Sequence, residues 1–162
     1  MINAEKKNVR LFVFDPAAGT ANLGDAIINS AVTRELKEIF ESPLIYTASV
    51  HKPMKPQDID RMRQCEYVFI GGSNLLGNTV FRPKTCRLWR QWKISLRDAK
   101  AIENGILFGV GWRQYEGKTG WYTTRLIKQA LSVNFLHSVR DDFTLNKLKA
   151  IGIENVSNTG CP

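Results

Sequence analysis

Three short stretches carry residue types suited to binding charged groups and moving protons. The first, "NLGDAI", sets Asn22, Gly24 and Asp25 directly before an apolar pattern of helical period. Glycine lets backbone approach a ligand closely, while Asn22 or Asp25 either caps the helix or holds a substrate hydroxyl. The second, "IGGSNLLG", puts Gly71 and Gly72 straight after an apolar run and follows them with Ser73 and Asn74. Paired glycines there make either a plain tight turn or a nest of backbone N–H groups for an anion, with Ser73 and Asn74 as added donors. The third, "SVRDDFT", places Arg140 at the end of an apolar stretch. Its guanidinium can fork onto a phosphate or carboxylate, or pair locally with Asp141 or Asp142 to shape the turn.

Other chemistries find little support. Neither "IGGSNLLG" nor "GVGWRQ" completes G-x-G-x-x-G, and no G-x-x-x-x-G-K-[ST] occurs, which argues against classical dinucleotide and P-loop sites. Cys65, Cys86 and Cys161 include no C-x-x-C pair, so neither a zinc site nor a disulfide framework is expected. His51 falls in a loop and His137 inside a strand, and no Ser/His/Asp or paired-carboxylate arrangement can be read from spacing. No metal-ligand cluster is visible and no cofactor is expected.

A frame of alternating strands and helices would gather the three stretches. "VRLFVF" (9–14) is a continuous apolar run, as expected of a strand covered on both faces of a parallel sheet. From Gly24 the period changes to Ile28, Val32, Leu36 and Phe40, an amphipathic helix ended near Pro43. "LIYTA" (44–48) is a second strand, followed by a loop with Pro53 and Pro56 and a short helix carrying Ile59 and Met62. "YVFI" (67–70) is the third strand, "CRLWRQWKISLRDAKAI" (86–102) a helix, "ILFGVG" (106–111) the fourth strand and 120–133 a helix. "NFLHSV" (134–139) is the fifth strand, 141–152 a helix with Gly152 past its end, and "ENVSNTG" a sixth strand. This alternation predicts a three-layer, Rossmann-like doubly wound parallel sheet of five or six strands with right-handed crossovers. In such sheets ligands bind beyond the carboxyl ends of the strands, where Asn22, Gly24, Asp25, Gly71, Gly72, Ser73, Asn74, Gly109, Gly111, Arg140 and Asp141 all fall.

With 162 residues, 43% of them apolar, and no apolar run near 18 residues, the chain reads as one globular domain without a membrane span. The start, "MINAEKKNVRLFVFDP", is too charged for a signal peptide, so a cytoplasmic protein is expected. A formal net charge of +8 must suit an anionic small substrate, nucleic acid or an acidic membrane surface. Residues 82–100 concentrate that charge in Arg82, Lys84, Arg87, Arg90, Lys93, Arg97 and Lys100. Leu88, Trp89, Trp92, Leu96 and Ala99 lie between them. On a helix these separate into a basic and an apolar face, which either covers the core or lies peripherally against the inner membrane face. Nucleic acid is the less favoured partner.

The stretches "NLGDAIINSAVTREL", "YVFIGGSNLL", "ILFGVG", "SVRDDFTLNKLKAIGIENV" and "TGCP", in that order, resemble the polysaccharide pyruvyl transferase family. The likeness spans nearly the whole chain but only the first half of such an enzyme. It implies a glycosyltransferase-B-like architecture whose C-terminal domain is absent from residues 1–162. It also implies transfer of enolpyruvate from phosphoenolpyruvate to two hydroxyls of a sugar or lipid-linked glycan, giving a cyclic ketal and free phosphate in exopolysaccharide or cell-wall glycan synthesis. Two departures stand out: the third glycine of the family's turn is Ser73, and "WRQYEGKTG" lacks a glycine–proline pair. On this reading Asp25 and Asn22 take hydroxyl recognition or acid/base work. Gly24, Gly71, Gly72, Ser73, Asn74 and Arg140 bind substrate. A chain with one wall of the cleft is expected to bind without turning over, and to self-associate as a homo-oligomer through the uncovered apolar surface. The alternatives are a glycosyltransferase-B-like half-domain using a nucleotide sugar, and a non-enzymatic basic module for nucleic acid or acidic membrane.

Overall fold

The apolar runs become parallel strands, and the helices between them are sorted onto two faces by the direction in which the chain crosses the sheet. A computed structural model describes residues 9–82, 87–89, 91–113, 115 and 117–162. Its elements, in chain order, are β1 (Arg10–Asp15), α1 (Leu23–Ile39), β2 (Leu44–Ser49), α2 (Pro56–Met62), β3 (Tyr67–Gly71), β4 (Val80–Arg82), β5 (Arg87–Trp89), α3 (Leu96–Ile102), β6 (Gly105–Phe108), α4 (Trp121–Ala130), β7 (His137–Val139), α5 (Asp142–Ala150) and β8 (Val156–Asn158).

A four-stranded parallel sheet has the order β2-β1-β3-β6, with Phe12 opposite Tyr46 on one side and Val68 on the other. The parallel pair β7–β8 continues it. Gly109 N–H donates to Ser138 C=O at 3.0 Å, and Val110 bridges to Val139. The expected five or six strands are therefore present as a four-strand ladder with a two-strand extension. Alternate residues of β1 divide the core. Phe12 and Phe14 join Val68, Ile70 and Leu107 under residues from α2, α3, α4 and α5. Leu11 and Val13 join Phe69 and Ile106 under Val32 and Leu36 of α1. Right-handed crossovers explain the split: the step outward from β1 to β2 puts α1 on one face, and every later step runs the other way and uses the opposite face.

Residues 86–102 depart from the expected helix. Arg87–Trp89 instead pairs antiparallel with Val80–Arg82, and α3 starts only at Leu96. A capping box sets that start: Ser95 Oγ accepts from Asp98 N–H at 3.2 Å, and Asp98 Oδ2 accepts from Ser95 N–H at 2.7 Å. Before it, Trp92 and Ile94 are core pegs, Trp92 meeting the Phe14 ring edge-on at 5.3 Å. The amphipathic helix with a basic face for a membrane or nucleic acid is therefore not formed, and its Lys84 and Arg90 lie outside the described residues. Smaller differences concern ends. The fifth strand begins at His137 rather than residue 134, because Asn155 Nδ2 holds the carbonyls of Ser132 and Phe135 in a loop. Helix α4 is shorter than 120–133 because Leu131 turns extended, bridging to Gly105. Among the described residues no helix is long and apolar enough to cross a membrane.

Candidate active site at the carboxyl edge of the sheet

The loops that leave β1, β3, β6 and β7 meet at one edge, and hydrogen bonds tie each to the next. After β1, Asp15 Oδ1 accepts from the N–H groups of Ala17 (2.7 Å) and Ala18 (3.2 Å), curling the chain back on itself. Ser49 Oγ donates to Ala18 C=O, and His51 Nε2 donates to Pro16 C=O at 2.9 Å, so the end of β2 braces this loop. The loop delivers Asn22 as the N-cap of α1: its Oδ1 accepts from Gly24 N–H at 3.1 Å.

The capping residue also reaches the adjacent carboxylate. Asn22 Nδ2 donates to Asp25 Oδ2 at 3.1 Å, and Ser73 Oγ donates to Asp25 Oδ1 at 2.7 Å. Asp25, only 6% exposed, thus accepts on both oxygens and joins the start of α1 to the turn after β3. In that turn Gly72 and Ser73 both lie in the left-handed region, at φ +53° and +60°. A side chain at Gly72 would also run into Ile28 of α1. Gly72 N–H donates to Phe108 C=O at 2.8 Å, so it braces β6 rather than pointing into an open nest.

Arg140 follows β7, and its Nη1 donates to Asn74 Oδ1 at 3.4 Å. The local ion pair with its neighbours is not made. Asp141 caps α5, accepting from Thr144 N–H and Oγ–H at 2.7 Å each, and Asp142 Oδ1 accepts from Asn158 Nδ2 at 2.8 Å. Among the described residues no carboxylate pairs with the Arg140 guanidinium. The structure therefore brings Asn22, Gly24 and Asp25 together with Gly71, Gly72 and Ser73, and sets Asn74 with Arg140 beside them. The chain segment "TGCP" returns to the same edge, with Thr159 N–H donating to Val139 C=O at 3.0 Å and Pro162 packed on Gly109. Gly111, placed with Gly109 at the end of the fourth strand by the sequence, packs between Asn74 and Arg140.

Neither histidine is placed for proton transfer at this edge. His51 is committed to Pro16. His137 is fully buried, with Nε2 on Ser132 C=O at 2.9 Å and Nδ1 accepting from Leu107 N–H at 3.3 Å. Burial pushes its imidazole below the usual range, against a smaller opposing effect of the Ser132 carbonyl. No group of three metal-ligating side chains occurs among the described residues.

The family model for polysaccharide pyruvyl transferase matches residues 22–162, starting on the Asn22 cap and running through the glycine turn and Arg140. No curated protein and no solved structure matches the chain. A match over that span carries the general activity, pyruvyl transfer to a sugar or polysaccharide acceptor, together with the three-layer α/β fold. The chain belongs to the polysaccharide pyruvyl transferase family.

Proposed function

We propose that the donor is phosphoenolpyruvate and that its phosphate or carboxylate is received by Arg140, Asn74 and the backbone N–H groups of Ser73 and Asn74. The observation that carries this is a guanidinium beside the glycine turn whose two neighbouring aspartates are engaged elsewhere. A cation left without a carboxylate at the edge of an α/β sheet suits an anionic substrate, and a planar fork suits one with paired oxygens.

Pyruvyl transfer needs an acid to protonate the enol methylene, a base for the sugar hydroxyl and positive charge for the departing phosphate. Arg140 serves the phosphate. Asp25 and Asn22 serve the acceptor: Ser73 Oγ, which donates to Asp25, keeps its lone pairs for a sugar hydroxyl, and Asp25 takes the proton relayed through it. Gly24 leaves the start of α1 open to substrate, while Gly71 and Gly72 let the turn after β3 pack closely against Val32 and Ile28 of α1, which sets the Ser73 and Asn74 N–H groups at the edge. The acceptor is a nucleotide- or lipid-linked sugar at the cytoplasmic side of the membrane.

Asn22, Gly24 and Asn74 are exposed, so this is one wall of a cleft. Orienting donor against acceptor without water needs an opposing wall from outside residues 1–162. Residues 1–162 alone are therefore expected to bind phosphoenolpyruvate without releasing phosphate. Calorimetric titration tests the reading: phosphoenolpyruvate binds, Arg140→Ala loses it, and a nucleotide sugar does not compete. Unchanged affinity in Arg140→Ala, or displacement of phosphoenolpyruvate by a nucleotide sugar, would overturn it.

A further inference from the structure

We infer that Gly111 is a positioning residue: its missing side chain lets the Asn74 amide and the Arg140 guanidinium converge into one anion-binding unit. The inference rests on the reading of Arg140 as the anion-binding cation. Gly111 is buried just beyond β6, between the turn after β3 and the end of β7. Its N–H donates to Ser73 C=O at 2.8 Å, and its C=O accepts from Leu76 N–H at 3.1 Å, fixing both ends of the short segment that carries Asn74. One residue earlier, Val110 C=O accepts from Arg140 N–H at 3.1 Å. Residues 110 and 111 therefore form a backbone strut with Asn74 on one side and Arg140 on the other.

Glycine is not required there by the backbone. Gly72, Gly109 and Gly152 have positive φ, whereas Gly111 does not, so any L-residue could adopt its conformation. The requirement is space. A Cβ at Gly111 would land well inside contact distance of Asn74 Oδ1 and Arg140 Cδ, and 2.9 Å from Arg140 Cγ. These are atoms of two flexible side chains. An added methyl can be accommodated by swinging them away, which leaves the fold in place and breaks up the pair.

The test is the affinity of the whole chain for phosphoenolpyruvate and for inorganic phosphate, measured by calorimetry. Gly111→Ala is expected to keep the parent's circular dichroism and bind at least tenfold more weakly. Gly117→Ala, where an added Cβ meets nothing, is expected to bind as the parent. Gly111→Ala should cost less affinity when added to Arg140→Ala than in the parent, because part of its effect runs through that guanidinium. Additive losses would indicate a general structural role and overturn the inference. If Gly111→Ala does not fold, Asn74→Ala/Gly111→Ala removes the Asn74 clash and is compared with Asn74→Ala. Equal affinity of those two overturns the inference, and weaker binding by the double variant supports it. The two readings fail separately. If Arg140→Ala binds like the parent, the anion reading falls. If Arg140→Ala loses binding while Gly111→Ala keeps it, only the role of Gly111 falls.

Discussion

Replacing Ser73 with alanine and with glycine separates two energies that its position combines. Its φ of +60° is left-handed, which costs a residue with a Cβ about 1–2 kcal/mol. Its hydroxyl donates to the Asp25 carboxylate at 2.7 Å, and a hydrogen bond to a charged group contributes about 1.5–3 kcal/mol. Alanine keeps the backbone cost and loses the bond, so Ser73→Ala should destabilise by about 1.5–3 kcal/mol. Glycine loses the same bond but relieves the backbone, offset by about 0.5–1 kcal/mol for its freer unfolded chain. The glycine variant should therefore exceed the alanine variant by about 1 kcal/mol. For a domain of this size that is about 2–4 °C in Tm. Urea unfolding with unchanged m-values checks the comparison. An alanine variant as stable as the glycine variant would refute the backbone argument, and two variants equal to the parent would refute the hydrogen bond to Asp25.

His137 and Gly72 give further expectations. The imidazole of His137 is held below its usual range by burial, so the folded chain favours its neutral form. Its contribution to stability is then complete above the unfolded value, about 6.5, and is lost as pH falls below that towards the folded value, at up to about 1.4 kcal/mol per pH unit. Histidine NMR checks this: the His137 titration midpoint should fall below the ordinary 6.5, and a midpoint at or above it would contradict the argument. Gly72→Ala adds left-handed strain to a clash with Ile28 and should cost about 2–4 kcal/mol. Adding Ile28→Ala should cost much less in that background than in the parent, and additive losses would show that the two sites do not touch.

Much of this edge is legible in the residues. The recurrence of Ile28, Val32 and Leu36, with Asn22 ahead and Pro43 behind, marks α1 because helical period and capping chemistry are local. Continuous apolar runs mark β1 and β3 because both faces of a parallel strand are covered. The helix drawn over 86–102 fails for a physical reason. Leu88, Trp92, Leu96 and Ala99 recur at helical spacing, but pairing of Arg87–Trp89 with Val80–Arg82 overrides that local pattern. Ser95 and Asp98, three apart, were a readable start signal for α3. Gly111 is legible as a strand-end glycine, but its effect on Asn74 and Arg140 is not. The need for glycine there comes from the convergence of two side chains 66 residues apart, Asn74 and Arg140, which only the packed sheet edge creates. The turn after β3 was seen from its glycines, whereas the use of the Gly72 N–H by Phe108 depends on how β6 lies against β3.

The central claim is that Asn74, Ser73 and Arg140 at the sheet edge receive the anionic end of phosphoenolpyruvate. Titrating isotopically labelled protein with phosphoenolpyruvate and following backbone and arginine side-chain NMR signals tests it most directly. The account predicts saturable shifts confined to residues 22–25, 71–74, 111 and 140, with the Arg140 side-chain resonance among the largest and all of them abolished in Arg140→Ala. Shifts centred elsewhere, as on the α2–α3 surface, or shifts at the sheet edge that persist in Arg140→Ala, would contradict it.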